Sequence, residues 1–204
     1  MKYEAKKELK QIFGTKQKPS TFELPTLRFL TINGKGNPNN LTFQKHVQAL
    51  YAVMYTAKFD YKKSPTHEQW SDFTVAPLMA WWTISEEAIQ RGTFTKDDFV
   101  YELRILIPYF VPDEVVKTSI IKAKEKKGFP EIDEVSIKEY PKMPVAQILH
   151  VGTYDDEPQT FEKLEQFLLE QGLKRKSKNH VEIYLSDPRK IVPQKLKTIL
   201  QVEV

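Results

Sequence analysis

Apolar residues recur along this chain at two spacings, one of strands and one of helices. Leu27-Arg28-Phe29-Leu30-Thr31-Ile32-Asn33 reads as a strand, closed by the turn-rich Gly34 to Asn40. Thr42 is placed to cap a helix in which Phe43, Val47, Leu50 and Met54 recur at helical spacing through about residue 59. Tyr51 and Tyr55, four apart, share a neighbouring stripe of that helix. A polar connection over residues 60 to 74 carries a helix-start signal at Ser64-Pro65, followed by Trp70. Val75 to Ile84 reads as a strand with Leu78, Ala80, Trp82 and Ile84 on one face and Met79, Trp81 and Thr83 on the other. Phe99 to Phe110 reads as a long strand. Tyr101, Leu103, Ile105, Ile107 and Tyr109 form its core face; Glu102, Arg104, Leu106 and Phe110 form a mixed one.

Pro112-Asp113-Glu114 opens a basic amphipathic helix that Gly128 closes. Strand patterns return at 134 to 139 and 145 to 151. A helix is expected from about Thr160 to Gln171 with Phe161, Leu164, Phe167 and Leu168 on its apolar stripe, and a last strand over 197 to 204. In between, Val181, Ile183 and Leu185 alternate with His180, Glu182 and Tyr184, the pattern of a half-buried strand. One of its faces carries a carboxylate between two aromatic rings. That is costly if buried unpaired. A wet face would explain it without any function; a pocket for a flat, partly cationic or electrophilic ligand is the sharper reading.

The two halves of the pattern match. A shift of 118 positions carries Gly34 to Gly152, Thr42 to Thr160, Leu50 to Leu168 and Leu30 to Ile148. The expected fold is therefore α+β: a tandem βαββ repeat, about 25–111 and 134–204, joined by the helix at about 112–128. Edge strands of the repeats would pair into one antiparallel sheet with helices on one face. Placing the aliphatic strand faces against the helices leaves a ligand groove on the other face. That groove would collect Trp81, Glu102, Leu106, Phe110, Glu182 and Tyr184. Residues 1–24 are lysine-rich and expected to be an arm that docks late or stays mobile.

Composition narrows the classes. The 204 residues hold no cysteine, which excludes disulfides and thiolate metal sites. No apolar run reaches a membrane span and the start lacks a secretory pattern, so a cytoplasmic protein without membrane contact is expected. The net charge is +4, but lysines gather in three separated segments, Lys2 to Lys18, Lys117 to Lys127 and Lys174 to Lys178, the last two without interleaved aromatics. Solvated faces explain them better than nucleic-acid binding. His46, His67, His150 and His180 have no metal-ligand spacing, Gly34-Lys35-Gly36 lacks a phosphate-loop ending, and no Gly-x-Ser-x-Gly elbow occurs. Neither a metal nor another cofactor is expected.

Taken in order, Phe29 to Gly36, Val145 to Tyr154, His180 to Leu185 and Lys197 to Leu200 resemble the GyrI-like small-molecule-binding domain family (the SHS2-type fold), over roughly residues 25 to 204. The resemblance implies that Glu182 sits at the centre of a pocket for small hydrophobic or cationic aromatic ligands. Many members are fused to a helix-turn-helix regulator, for which the arm here is too short, so a transcription-factor role is not expected. A stand-alone chain of this size is similar to the subgroup that hydrolyses cyclopropane-bearing DNA-alkylating compounds in an aromatic cage. The resemblance thus implies Glu182 as general base or electrostatic anchor. Tyr184, Trp81, Tyr55, Glu102, Phe110, Tyr51 and Trp70 are the candidate ligand-binding residues. The alternative is a non-catalytic module that sequesters cationic aromatic drugs. A monomer or weak dimer is expected.

Overall fold

The computed structural model describes residues 1–64 and 69–204; Pro65 of the helix-start signal and His67 lie outside the described residues. In chain order the elements are β1 (Lys2–Glu4), α1 (Ala5–Glu8), β2 (Ser20–Leu24), β3 (Leu27–Lys35), α2 (Leu41–Lys63), β4 (Asp72–Thr74), β5 (Met79–Ile84), α3 (Glu86–Arg91), β6 (Phe99–Ile107), α4 (Asp113–Lys127), β7 (Ser136–Tyr140), β8 (Met143–Val151), α5 (Glu157–Glu170), β9 (His180–Tyr184) and β10 (Lys197–Glu203). Short 3₁₀ turns precede β6, β7, α5 and β10. The fold is α+β. Eight strands form one antiparallel sheet in the order β2-β8-β10-β9-β5-β6-β3-β7, and β1 and β4 make a separate parallel pair. At the centre β5 of the first half pairs with β9 of the second. Among the described residues no helix is long and apolar enough to cross a membrane.

Directly opposed residues of an antiparallel pair share a face, so the register fixes which side chains meet the helices. On β3 and β6, Leu30 opposes Ile105, Ile32 opposes Leu103 and Gly34 opposes Tyr101. The Tyr101 hydroxyl meets Nδ1 of His46 from α2 at 3.1 Å, so this is the helix-bearing face. At the other end of the sheet, α5 places Leu164 and Leu168 in one cluster with Ala146, Ile148, Leu200 and Val202 of the same face. Helix α4 lies outside, packed along α2; Lys122 reaches Asp60 across that contact at 2.8 Å. Leu50, Val53 and Met54 of α2 are essentially inaccessible, and each such side chain contributes about 1.5–3 kcal/mol.

Gly34 shows how closely the layers fit. A Cβ there would lie 2.3 Å from Cζ of Tyr101, a ring fixed by core packing and by its bond to His46. Gly34→Ala is expected to destabilise the protein by about 2 kcal/mol, because overpacking displaces a ring with no free volume beside it. A denaturant midpoint unchanged from wild type would contradict that packing.

The face opposite the helices differs from the expected bare groove. The turn after α1 packs there: the Gln147 amide of β8, on that face, donates to the Gln11 carbonyl at 2.7 Å, and Ile12 and Phe13 are buried. β2, drawn from the same N-terminal stretch, adds an edge strand to β8. Residues 1–24 are thus built into the fold rather than a loose arm. A sheet covered on both faces wants aliphatic residues on both faces. The aliphatic side of a strand therefore does not identify its helix side, and the assignment fails at β9. Val181 and Ile183 share the face of Trp81 and Met79, while Glu182 opposes Ala80 and Leu200 and looks into the helical layer.

Candidate functional site

The corrected register moves the site to the helix side of the sheet. Here α2 and α5 stand apart, and a cleft of about 2270 Å³ runs between them over the centre of the sheet. That exceeds the volume of an ordinary drug pocket, so a single small ligand would fill only part of it. β9 supplies its floor with His180, Glu182 and Tyr184, and β5 adds Trp82. α2 supplies Phe43, Val47, Tyr51 and Tyr55 as one wall. The turn before α5 and the helix itself supply Tyr154, Glu157 and Phe161 as the other.

Glu182 sits low in this cleft, its side chain 12% exposed. His180 Nε2 lies 3.1 Å from its Oε1, and the Nε2–H tautomer donates to it. The Tyr184 hydroxyl accepts from the Trp82 indole N–H at 3.1 Å. Burial first, then the nearby Glu182 charge, raise the Tyr184 pKa well above its usual value, so its hydroxyl stays neutral. Trp82 is held flat by stacking on Phe43, with centroids 5.8 Å apart and planes within 12°. Phe161 meets the His180 ring edge to face at 4.9 Å, and Tyr154 meets Tyr184 in the same way at 6.0 Å. The result is a ring-walled slot with one acid at its base.

A second acid faces the first. Glu157 opens α5 and is 7% exposed, and its Oε1 is sealed from solvent without a hydrogen-bond partner among the described residues. Leaving a buried acceptor unpaired costs about 1–3 kcal/mol. The helix start favours the charged form by about 0.3–1 kcal/mol. Burial outweighs that, and Glu182 and Asp155 add repulsion, so its pKa is pushed up to about 9 and the carboxyl is protonated at neutral pH. The same burial, with Glu182 and Glu157 nearby, pushes the Tyr154 hydroxyl up to about 12. Two carboxyl groups in one cleft, one of them keeping its proton, are the arrangement that separates an acid from a base.

Of the residues expected in the site, Glu182, Tyr184, Tyr51 and Tyr55 line the cleft. The other four do not join them. Trp81 and Glu102 oppose one another on the far face of the sheet. There Glu102 accepts from Arg104 at 2.5 Å, Tyr140 at 2.5 Å and Lys138 at 2.6 Å, which satisfies it within the fold. Phe110 and Trp70 stack at 6.0 Å in a cluster with Tyr3, Tyr61 and Phe73 at the far end of α2. β6 stops at Ile107, so the alternation that placed Phe110 on the mixed face does not extend to it.

Glu157, Trp82, Phe43, Phe161 and Tyr154 were missed. The signal for Glu157 is present: 157, 161, 164 and 168 form one helical stripe, so extending the apolar face back one turn puts a carboxyl on it. The Asp-Asp-Glu-Pro run hid it as loop. Among the described residues no group of three or more acidic or histidine side chains is arranged to hold a metal.

The model of the GyrI-like small molecule binding domain matches residues 17–204. A solved structure of an uncharacterized conserved protein from Listeria innocua is 33% identical, with a TM-score of 0.86 and 98% of each chain covered. A structure described as a hydrolase from the same organism is 32% identical, with a TM-score of 0.85 and 98% of each chain covered. The EcmrR C-terminal domain, 9% identical with a TM-score of 0.51 over 91% of this chain and 96% of that one, shares the fold alone. No curated protein matches.

Proposed function

The chain belongs to the GyrI-like small molecule binding domain family, and on that premise we propose that its cleft binds planar aromatic compounds and hydrolyses those bearing a strained cyclopropane ring. The observation that carries this is Glu182 at the base of a slot walled by Trp82, Phe43, Phe161 and Tyr154. Flat rings orient a planar electrophile and keep bulk water out. A carboxylate within that slot is placed to take a proton from one admitted water, or to hold a cationic ring against the aromatic wall. A relative one third identical that is described as a hydrolase supports the hydrolytic reading. DNA-alkylating cyclopropanes are the substrate class that the aromatic slot suits, which gives the protein a role in detoxification.

Mass spectrometry of a spirocyclopropane alkylator before and after incubation tests this. The expected product is ring-opened and heavier by one water, formed well above the rate in buffer. Ligand bound but recovered unchanged would instead identify a sequestering module.

A further inference from the structure

Glu182 provides for one proton transfer, but ring opening by water needs two. As the water oxygen bonds to the cyclopropane carbon, the carbon–carbon bond breaks. Its electron pair moves through the conjugated ring onto the carbonyl oxygen, which then needs a proton. Glu157 lines the same cleft with an oxygen sealed from solvent and, among the described residues, bonded to nothing. It is fixed at the first turn of α5, and burial keeps it protonated at neutral pH. The groups around it are acidic or neutral: Glu182 and Tyr184 from β9, Tyr154 and Asp155 from the preceding turn. Lys96 reaches this side and pairs with Asp155 at 3.0 Å, His180 of β9 meets Glu182 at 3.1 Å, and Lys178, Arg189 and Lys190 line the same cleft.

Building on the hydrolytic reading above, we propose that Glu157 is the acid of the reaction, giving its proton to a ligand carbonyl conjugated with the cyclopropane while Glu182 accepts one from the attacking water. The carbonyl becomes a hydroxyl, the product equals substrate plus water, and a proton returns from Glu182 to Glu157 by way of solvent. The cleft therefore selects cyclopropanes conjugated with a carbonyl over simple alkyl cyclopropanes.

The test is the pH dependence of single turnover for the wild type and Glu157→Gln, corrected for reaction in buffer. Glutamine keeps a hydrogen-bond donor but has no proton to transfer. The wild-type rate is expected to fall as pH rises through about 9. Glu157→Gln should be at least tenfold slower at pH 7, with no such alkaline limb, and should bind the ring-opened product within about threefold of wild type. A Glu157→Gln rate within twofold of wild type, or a wild-type rate flat to pH 10, overturns the assignment while leaving the hydrolytic reading intact. No wild-type turnover at all would overturn the hydrolytic reading itself. Should the variant not fold, the wild-type profile decides alone.

Discussion

Glu182→Gln is expected to slow hydrolysis of a spirocyclopropane alkylator by about 10²–10⁴-fold, the usual worth of a positioned general base. The substitution keeps size and shape in a slot where the side chain is only 12% exposed, so the walls stay in place. It removes the basic acceptor for a water proton, while the amide oxygen still accepts from His180. If Glu182 acts as base, ligand affinity stays near wild type while turnover collapses. If it acts as an anchor, the dissociation constant of a cationic aromatic ligand rises and that of a neutral one does not. Unchanged turnover and unchanged affinity together would remove Glu182 from the site. The loss of its charge also relieves Glu157, whose pKa of about 9 owes part of its elevation to Glu182. A folded pKa above the unfolded one means that the native state gains a proton relative to the unfolded chain. Stability then falls as pH rises from the unfolded value near 4.5 toward 9. In Glu182→Gln the fall should end at a lower pH and be smaller in total.

On the other face, Glu102→Gln is expected to cost about 3–5 kcal/mol of stability and to leave hydrolysis by the surviving folded protein unchanged. Burial raises the Glu102 pKa, but the bonds from Lys138 and Tyr140 and the charge of Arg104 outweigh it, and the net direction is down. Its contribution is therefore present above the unfolded pKa near 4.5 and is lost as pH falls below that value. Without the carboxylate, Arg104 is left 13% exposed, stacked on Tyr140 at 4.1 Å without its counter-charge. Lys138, 41% exposed, regains water, which places the cost toward the lower end of that range. Urea midpoints at pH 7 and pH 4 give the comparison: a large gap between variant and wild type at pH 7 that narrows in acid. A midpoint at pH 7 within experimental error of wild type would show that the network is not a structural support.

The repeat was legible because it is written in local chemistry. The shift of 118 places Leu30 and Ile148 on β3 and β8, inner strands of the two halves that each precede the long helix of their half. The alternation in β5 and β6 also sorted their faces correctly: Trp82, Tyr101 and Leu103 together, Trp81 and Glu102 together. What the alternation does not carry is how the faces of different strands join, because that depends on register between residues far apart in sequence. At β9 the aliphatic residues lie on the face of Trp81 and Met79, away from the helices, which puts Glu182 on the face of the other tryptophan, Trp82. The buried N-terminal turn was hidden by its lysines. Only Ile12 and Phe13 among them announce burial, and two apolar residues do not make a period.

Trp81 and Trp82 are chain neighbours on opposite faces, which makes them the most direct measure of where the ligand sits. Titrating a planar aromatic cation, read by its own fluorescence, into Trp81→Leu and Trp82→Leu proteins confirmed as folded by circular dichroism separates the two faces. The cleft between α2 and α5 predicts a dissociation constant at least tenfold weaker for Trp82→Leu and within twofold of wild type for Trp81→Leu. Weakening confined to Trp81→Leu would put the ligand on the far side of the sheet and contradict the site.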